Sequence, residues 1–350
     1  MRIGNGDLRR LNGRFGPCRK PGALLVGAAW MLWSSVPTVA DSMESAPLAV
    51  ENLSPFSALR SFPAQRRADT EAGFAVDLNQ AVASHFIEQS RADSGEALFI
   101  DGETMKLSAT LRYGFADSWD ISATVPWVKH SEGFLDGAIN SWHDFFGMSD
   151  GGRSDYPNDQ FIYAYGSPGF EQGLRQPARG IGDTTVALNR VFHRAPGQSA
   201  SLGLGYIIAT GDESGFLGGG AGNAFVTLRF SGAHPGDFPL TWHGQLGYMR
   251  AGETDLLSDS QRRNLWFAGL SMDWQIADQW SLLAQYDGHS ALTASELGAL
   301  GEASALLSFG ARWKVAQDWS LEALFIEDIK VESGPDITFQ FAIRYRGRPR

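Results

Sequence analysis

From Ala72 onward, apolar and polar residues alternate in segments of about ten, the length of a membrane-crossing strand. The alternation is cleanest over 103–129. Met105, Leu107, Ala109, Leu111 and Tyr113 share one face, and Thr104, Lys106, Ser108, Thr110 and Arg112 the other. After a short turn, Trp119, Ile121, Ala123, Val125 and Trp127 alternate with Asp120, Ser122 and Thr124. A period of two marks a strand, and two such runs joined by a tight turn read as a hairpin. A soluble sandwich also alternates, but its apolar face points into a core. The spacing of Trp119 and Trp127 favours a membrane instead. Eight residues at about 3.3 Å each, tilted by about 40°, span on the order of 20 Å, close to the apolar band of a transmembrane barrel.

The same hairpin recurs. Arg112 to Ile121, Asp273 to Leu282 and Arg312 to Leu321 each carry an aromatic, a short apolar-Ala-Asp/Gln turn and a Trp six positions after the first aromatic. This spacing predicts that Tyr113 pairs with Trp119 and that Arg112 lies opposite Asp120. Strands are expected at 72–88, 103–114, 119–129, 181–194, 200–210, 222–232, 239–251, 263–276, 279–290, 304–315, 319–331 and 336–346. The run 181–194 is the weakest, because Arg190 falls among Val186, Leu188 and Phe192. Short connections alternate strictly with longer ones, which assigns turns to the periplasm and loops to the exterior. The fold class is therefore all-β: an antiparallel up-and-down transmembrane β-barrel of about twelve strands, with a short helix in a long extracellular loop at 130–180. Tyr113, Trp119, Trp127, Trp274, Trp280, Trp313 and Trp319 form the expected aromatic girdle. The polar face predicts lumen-facing charges of both signs: Lys106, Arg112, Asp120, Arg229, Asp273, Asp287, Arg312, Glu322 and Arg344. A single-sign ring, which would argue for ion selectivity, is not evident.

Composition narrows the class. A mean hydropathy of −0.18 over 350 residues excludes a helical membrane bundle but permits a barrel, whose strands keep half their residues polar. Residues 1–40 read as a cleaved secretory signal. Arg9, Arg10, Arg14, Arg19 and Lys20 precede an apolar stretch from Pro21 to Val36, and Thr38-Val39-Ala40 offers a cleavage site. The single cysteine, Cys18, leaves with it, so the mature chain has no thiol chemistry. Removing six basic residues and Asp7 takes the net charge from −10 to −15, which excludes nucleic acid as a partner. Residues 41–70, interrupted by Pro47, Pro55 and Pro63, are either a flexible leader or a segment that docks in the lumen or at the rim.

The connection 130–180 is far longer than a turn needs to be, and such loops are usually functional. Phe134, Leu135, Ile139, Trp142, Phe145 and Phe146 recur at three- and four-residue spacing, predicting a helix near 137–146 with Asp136 at its start and Gly147 at its end. This points to a lid or constriction over a pore. His143 with Asp144 or Asp136 is the alternative, a general-base hydrolytic site, against the plainer reading of a solvated helix face. His289-Ser290 lacks the His-x-Ser-Asn-Gly arrangement of the outer-membrane phospholipases. The glycine run at 215–222 has no phosphate-loop lysine, and no cofactor or metal motif is read.

Several short motifs occur in order: Asn52-x-Ser54-Pro55, Ser84-His85-Phe86, Asp101-Gly102-Glu103-Thr104, Gly133-Phe134-Leu135-Asp136, Trp142-His143-Asp144-Phe145-Phe146-Gly147, Gly152-Arg153 and Gly180-Ile181-Gly182-Asp183. Together they resemble an uncharacterised Gram-negative outer-membrane β-barrel family, catalogued as a domain of unknown function. The resemblance spans roughly 46–345. It implies a barrel in the outer membrane and no particular activity. It marks Asp136, Trp142, His143, Phe146, Gly147 and Arg153 as loop hallmarks. The final strand, with Phe339, Phe341, Ile343 and Tyr345 on one face, resembles the recognition signal of such barrels, although Arg346 to Arg350 follow it. The expected partners are outer-membrane lipid, the barrel-assembly machinery and a small solute. The expected function is a pore gated by loop 130–180, with a hydrolase and a plugged structural or surface-binding barrel as alternatives.

Overall fold

The structure, a computed structural model, describes residues 45–70, 72–137, 139, 141, 152–234, 236–256, 261–330 and 334–347. The signal read in residues 1–40 lies outside the described residues, and so do Trp142, His143, Asp144, Phe145, Phe146 and Gly147. The strands are β1 (Gly73–Arg91), β2 (Glu96–Ala116), β3 (Trp119–Ser131), β4 (Ile162–Ser167), β5 (Phe170–Leu174), β6 (Ala178–Ile181), β7 (Thr184–Ala195), β8 (Gln198–Ile208), β9 (Asn223–Ala233), β10 (Leu240–Arg250), β11 (Asn264–Ala277), β12 (Trp280–His289), β13 (Ser304–Ala316), β14 (Trp319–Asp328) and β15 (Ile337–Arg346).

Twelve of these form a closed ring. β1, β2 and β3 run into β7 to β15 through antiparallel ladders, and β15 returns to β1 from Ala75↔Arg346 to Ser84↔Ile337. The closed ladder leaves no free edge. β6 and β7 pair with successive stretches of β3 and together make one strand broken at Gly182 and Asp183. That break, with a register shift between Val191 and His193, is why the pattern there reads poorly. Arg190 points outward and its guanidinium sits 5.2 Å from the Trp119 ring, so its charge lies at the rim.

The predicted hairpin register is overturned. In the first repeat Tyr113 pairs with Ile121 and Arg112 with Ser122, not with Trp119 and Asp120. All three repeats carry a register shift just before the turn, at Gly114/Ala116, Gln275/Ala277 and Lys314/Ala316. The extra residue of a bulge slips the pairing relative to simple counting. Phe115, Ile276 and Val315, the residues so displaced, face outward. Each repeat's aromatic meets the neighbouring hairpin instead. Trp280 stacks on Trp313 at 5.6 Å with planes 3° apart, Trp319 meets Tyr345 at 4.9 Å, and Phe74 meets Tyr113 at 4.5 Å.

Two long connections are more ordered than the alternation suggests. The expected loop 89–102 is mostly strand, since β1 and β2 continue as one hairpin to a turn at 92–95. Within 130–180, β4 and β5 form a hairpin that pairs with the projecting end of β2, from Ala97↔Gly166 to Asp101↔Ile162. Asp136, Gly137, Ile139 and Ser141 are helical, with the Ile139 amide donating to the Leu135 carbonyl at 2.9 Å.

The wall sorts its residues as a lipid-facing barrel does. Leu107, Leu111, Leu204, Leu246, Trp266 and Phe341 are exposed on the outer surface, Trp266 by 62%. Arg229, Arg312, Asp120, Glu322, Gln285 and Asn189 are buried in the interior. A soluble protein with this arrangement would be inside out; the fold is a transmembrane β-barrel. At the long-loop end a cluster of Phe56, Ile87, Leu98, Ile100, Tyr163, Tyr165, Phe216 and Leu300 forms an apolar cap.

Candidate functional site

The polar interior explains what residues 45–70 do, because the barrel's inward side chains have partners there. The segment rises through the lumen, turns at a short helix (Pro55–Ala58) under the apolar cap, and descends again to β1. At the bottom, Ser45 contacts His243 at 3.0 Å. On the way up, Arg312 donates to the Ala46 carbonyl at 2.6 Å, Arg344 to Pro47 at 2.7 Å, Gln285 to Leu48 at 3.0 Å and Gln340 to Ala49 at 3.1 Å. Leu48 and Val50 pack on Leu283, Leu306, Leu324 and Ile326. At the top, the Asn52 amide donates to Ser304 Oγ at 2.9 Å and lies 3.2 Å from His289 Nε2.

The descending leg has its own partners. Arg60 donates to the Gly252 carbonyl at 2.8 Å, Gln65 to Asp287 at 2.7 Å, and the Ala68 amide to Ser231 Oγ at 2.8 Å. Arg66 bonds Asp120 Oδ1 at 2.7 Å and Ser122 at 2.9 Å, while the Thr70 hydroxyl donates to Asp120 Oδ2 at 2.6 Å. Phe62 stacks on the His289 ring at 4.6 Å. Both legs thus combine hydrogen bonds with apolar packing: Leu48 and Val50 seat the ascending leg, and Leu59 and Phe62 the descending one.

The charged residues expected in the lumen all line it or lie behind its surface. Arg312 bridges Asp273 and Glu322, and Glu322 also takes Arg344 at 2.9 Å. Arg229 donates to Gln245 at 2.7 Å and to Asn189 at 3.0 Å. Lys106 pairs with Glu51 of the leader at 2.5 Å. Beside the two legs, against β1, β2, β3 and β7, a cavity of about 140 Å³ remains, lined by Arg66, Lys106, Arg112, Thr124 and Asp183 among others. The girdle residues Tyr113, Trp119, Trp274, Trp280, Trp313 and Trp319 are exposed on the outer wall, with Trp127 partly so.

A second constellation sits at the long-loop end, where four scattered motifs converge. Arg153 donates to Asp136 Oδ1 at 2.9 Å, Ser84 Oγ at 3.0 Å and Asp336 Oδ2 at 2.9 Å, with its guanidinium 5.6 Å from the Phe86 ring. Glu103 Oε1 accepts from the amides of Phe134 and Leu135 at 2.7 and 2.5 Å. Gly133, at φ +82, lets the loop pass so close to Glu103 that an added Cβ would stand 1.9 Å from its Cδ. Beneath, His85 Nε2 and His130 Nδ1 each hydrogen-bond Thr104 Oγ1 at 2.9 Å, and Tyr163 lies 3.3 Å from the same oxygen. Asp183, from the last motif, makes a separate clasp, accepting from the amides of Gly211 at 3.0 Å and Gly219 at 2.8 Å. The second oxygen of the Asp136 carboxylate accepts from the Asp159 amide at 2.9 Å. Of the hydrolytic alternative, Asp136 is engaged in this knot, while His143 and Asp144 lie outside the described residues. Sequence reasoning missed Ser84, Asp336, His130 and Thr104 as partners, since nothing local links positions so far apart.

Residues 28–346 match the family described as "Protein of unknown function (DUF3187)". No curated protein matches the sequence. Among solved structures, the chain is similar to an outer-membrane channel from Pseudomonas putida F1, at 13% identity and TM-score 0.49 over 79% of this chain and 96% of that one. It is also similar to the KdgM porin, at 10% identity and TM-score 0.41 over 78% and 99% of the two chains. The NanC porin aligns at 6% identity and TM-score 0.43 over 79% and 100%.

Proposed function

We propose that this chain, which belongs to the DUF3187 family, is an outer-membrane channel for small solutes whose lumen is occupied at rest by its own residues 45–70. The observation that carries this reading is the polar cavity of about 140 Å³ left between the leader and the wall. The descending leg borders it through Arg66 and is tied to the wall beside it by hydrogen bonds to Asp120, Ser122 and Ser231. Polar contacts exchange readily for water, so displacement of the descending leg would widen that cavity into a path. The long-loop end is closed by the apolar cap and by the segment fastened through Arg153, which makes loop 130–180 the second constriction in series. Short turns face the periplasm in this arrangement, and the signal read in residues 1–40 delivers the chain there for cleavage and assembly into the outer membrane, by the barrel-assembly machinery.

Planar-bilayer recording of the intact chain and of a variant lacking residues 45–70 tests the reading. Small or intermittent currents from the first and larger, steady ones from the second are expected. A second reading, a plugged barrel that serves as an anchor or surface binder, is favoured by how completely the leader fills the ring. Silence from both proteins would select it.

A further inference from the structure

Resting on the channel reading, we infer that the path beside the leader is built for small anions bearing a carboxylate or phosphate group. The chain as a whole is acidic, with a net charge of −10. The wall of the cavity is not: seven basic side chains line it against three acidic ones. Arg66, Lys106, Arg112, Arg344 and Arg346 come from the leader, β1's neighbours and the closing strand, so the positive groups surround the space rather than sit on one side of it.

Several of these cations have carboxylate partners, and the placement of those partners decides the sign of the field. Asp120, Glu322 and Asp273 are between 0% and 4% exposed and are absent from the cavity lining. Arg66 reaches Asp120 at 2.7 Å and Arg344 reaches Glu322 at 2.9 Å; both arginines line the cavity and neither carboxylate does. Glu51 and Asp77, which pair with Lys106 and Arg346, line the cavity with them, so the excess of positive groups comes from cations whose carboxylate partners are recessed. Arg229 adds a cation whose hydrogen-bonded partners, Gln245 and Asn189, are neutral. A guanidinium presents several N–H donors in a fixed fork that suits a planar carboxylate or a phosphate. The barrel wall and the lipid around it are poor dielectrics, so such a field is focused along the path rather than screened away. The free volume holds on the order of ten water molecules, enough for one small anion with part of its hydration shell.

The test is a reversal-potential measurement across a potassium chloride gradient, on the intact chain and on the chain lacking residues 45–70. A potential on the chloride side of zero is expected, with current reduced by added inorganic phosphate or acetate. The neutral variant Arg112→Gln should move the potential toward zero, and Arg112→Lys should restore it. Arg67→Gln, at another cavity-lining cation that belongs to the leader and not to a strand, gives the same direction of shift. Heat-dependent gel mobility confirms that each variant folds. A potassium-preferring current overturns the anion assignment and leaves the channel standing. No current from either form overturns both.

Discussion

Arg66 and Asp120 join the leader to the wall of the barrel, with Nη2 and Oδ1 2.7 Å apart and 54 residues of chain between them. Asp120 is fully buried and also accepts from Thr70 and from Asn189 at 3.1 Å, so it is the anchor for the base of the descending leg. Asp120→Asn keeps the shape and removes the charge. A charge-assisted hydrogen bond contributes about 1.5–3 kcal/mol, so the detached state of this leg should become at least about tenfold more populated. Faster cleavage of the leader by a protease in proteoliposomes, with heat-dependent mobility retained, is the expected outcome. Unchanged cleavage would show that this pair does not secure the leg.

The knot at Arg153 makes a contrasting prediction. Its side chain is 5% exposed and serves two carboxylates and a hydroxyl. Arg153→Ala leaves Asp136 buried without its cation, a change that typically costs about 3–5 kcal/mol. The loop carrying Asp136 should become accessible to protease while residues 45–70 remain protected. Loss of protection in both regions together would mean the two constrictions are one cooperative unit.

Gly133 is tested by a single methyl group. At φ +82, with Glu103 filling the place of a side chain, alanine must strain the backbone and push Glu103 off the Phe134 and Leu135 amides. A loss of about 1–3 kcal/mol is expected, read as a lower melting temperature in detergent. Glu103→Gln should cost less, because an amide oxygen still accepts both bonds.

Trp280 and Trp313, stacked across β12 and β13 on the outer wall, probe the membrane boundary. Replacing Trp280 with alanine should cost about 1 kcal/mol of pairing beyond the area lost. Quenching of tryptophan fluorescence by lipids brominated near the headgroup should fall in the variant. Quenching confined to lipids brominated at the chain ends would remove these rings from the interface.

The strands were legible in the sequence because a barrel wall imposes a period of two on every crossing, and the ring of twelve follows that period closely. The register was not. Tyr113 and Trp119 look paired by counting, but the bulge between Gly114 and Ala116 has no signature in residue type. The β4–β5 hairpin was hidden because Tyr163 and Tyr165 face a local cap and not the membrane. The leader was hardest to place. Four of its contacts are made by the carbonyls of Ala46, Pro47, Leu48 and Ala49, which wall side chains recognise without regard to the leader's own side chains. The knot was half visible. Asp136 and Arg153 were singled out within one loop, but Ser84 and Asp336 lie on the first strand and just before the last.

The seam between β1 and β15 has a consequence for how the molecule is made. The first strand of the ring finds its mate only in the last, so the cylinder stays open along one side until Ile337–Arg346 is in place. If residues 45–70 dock before that closure, the tube is rolled around them and no free end has to be drawn through a finished bore. A chain cut short before the final strand would carry the same peptide on a raw edge, a target for degradation rather than a stopper in a vessel.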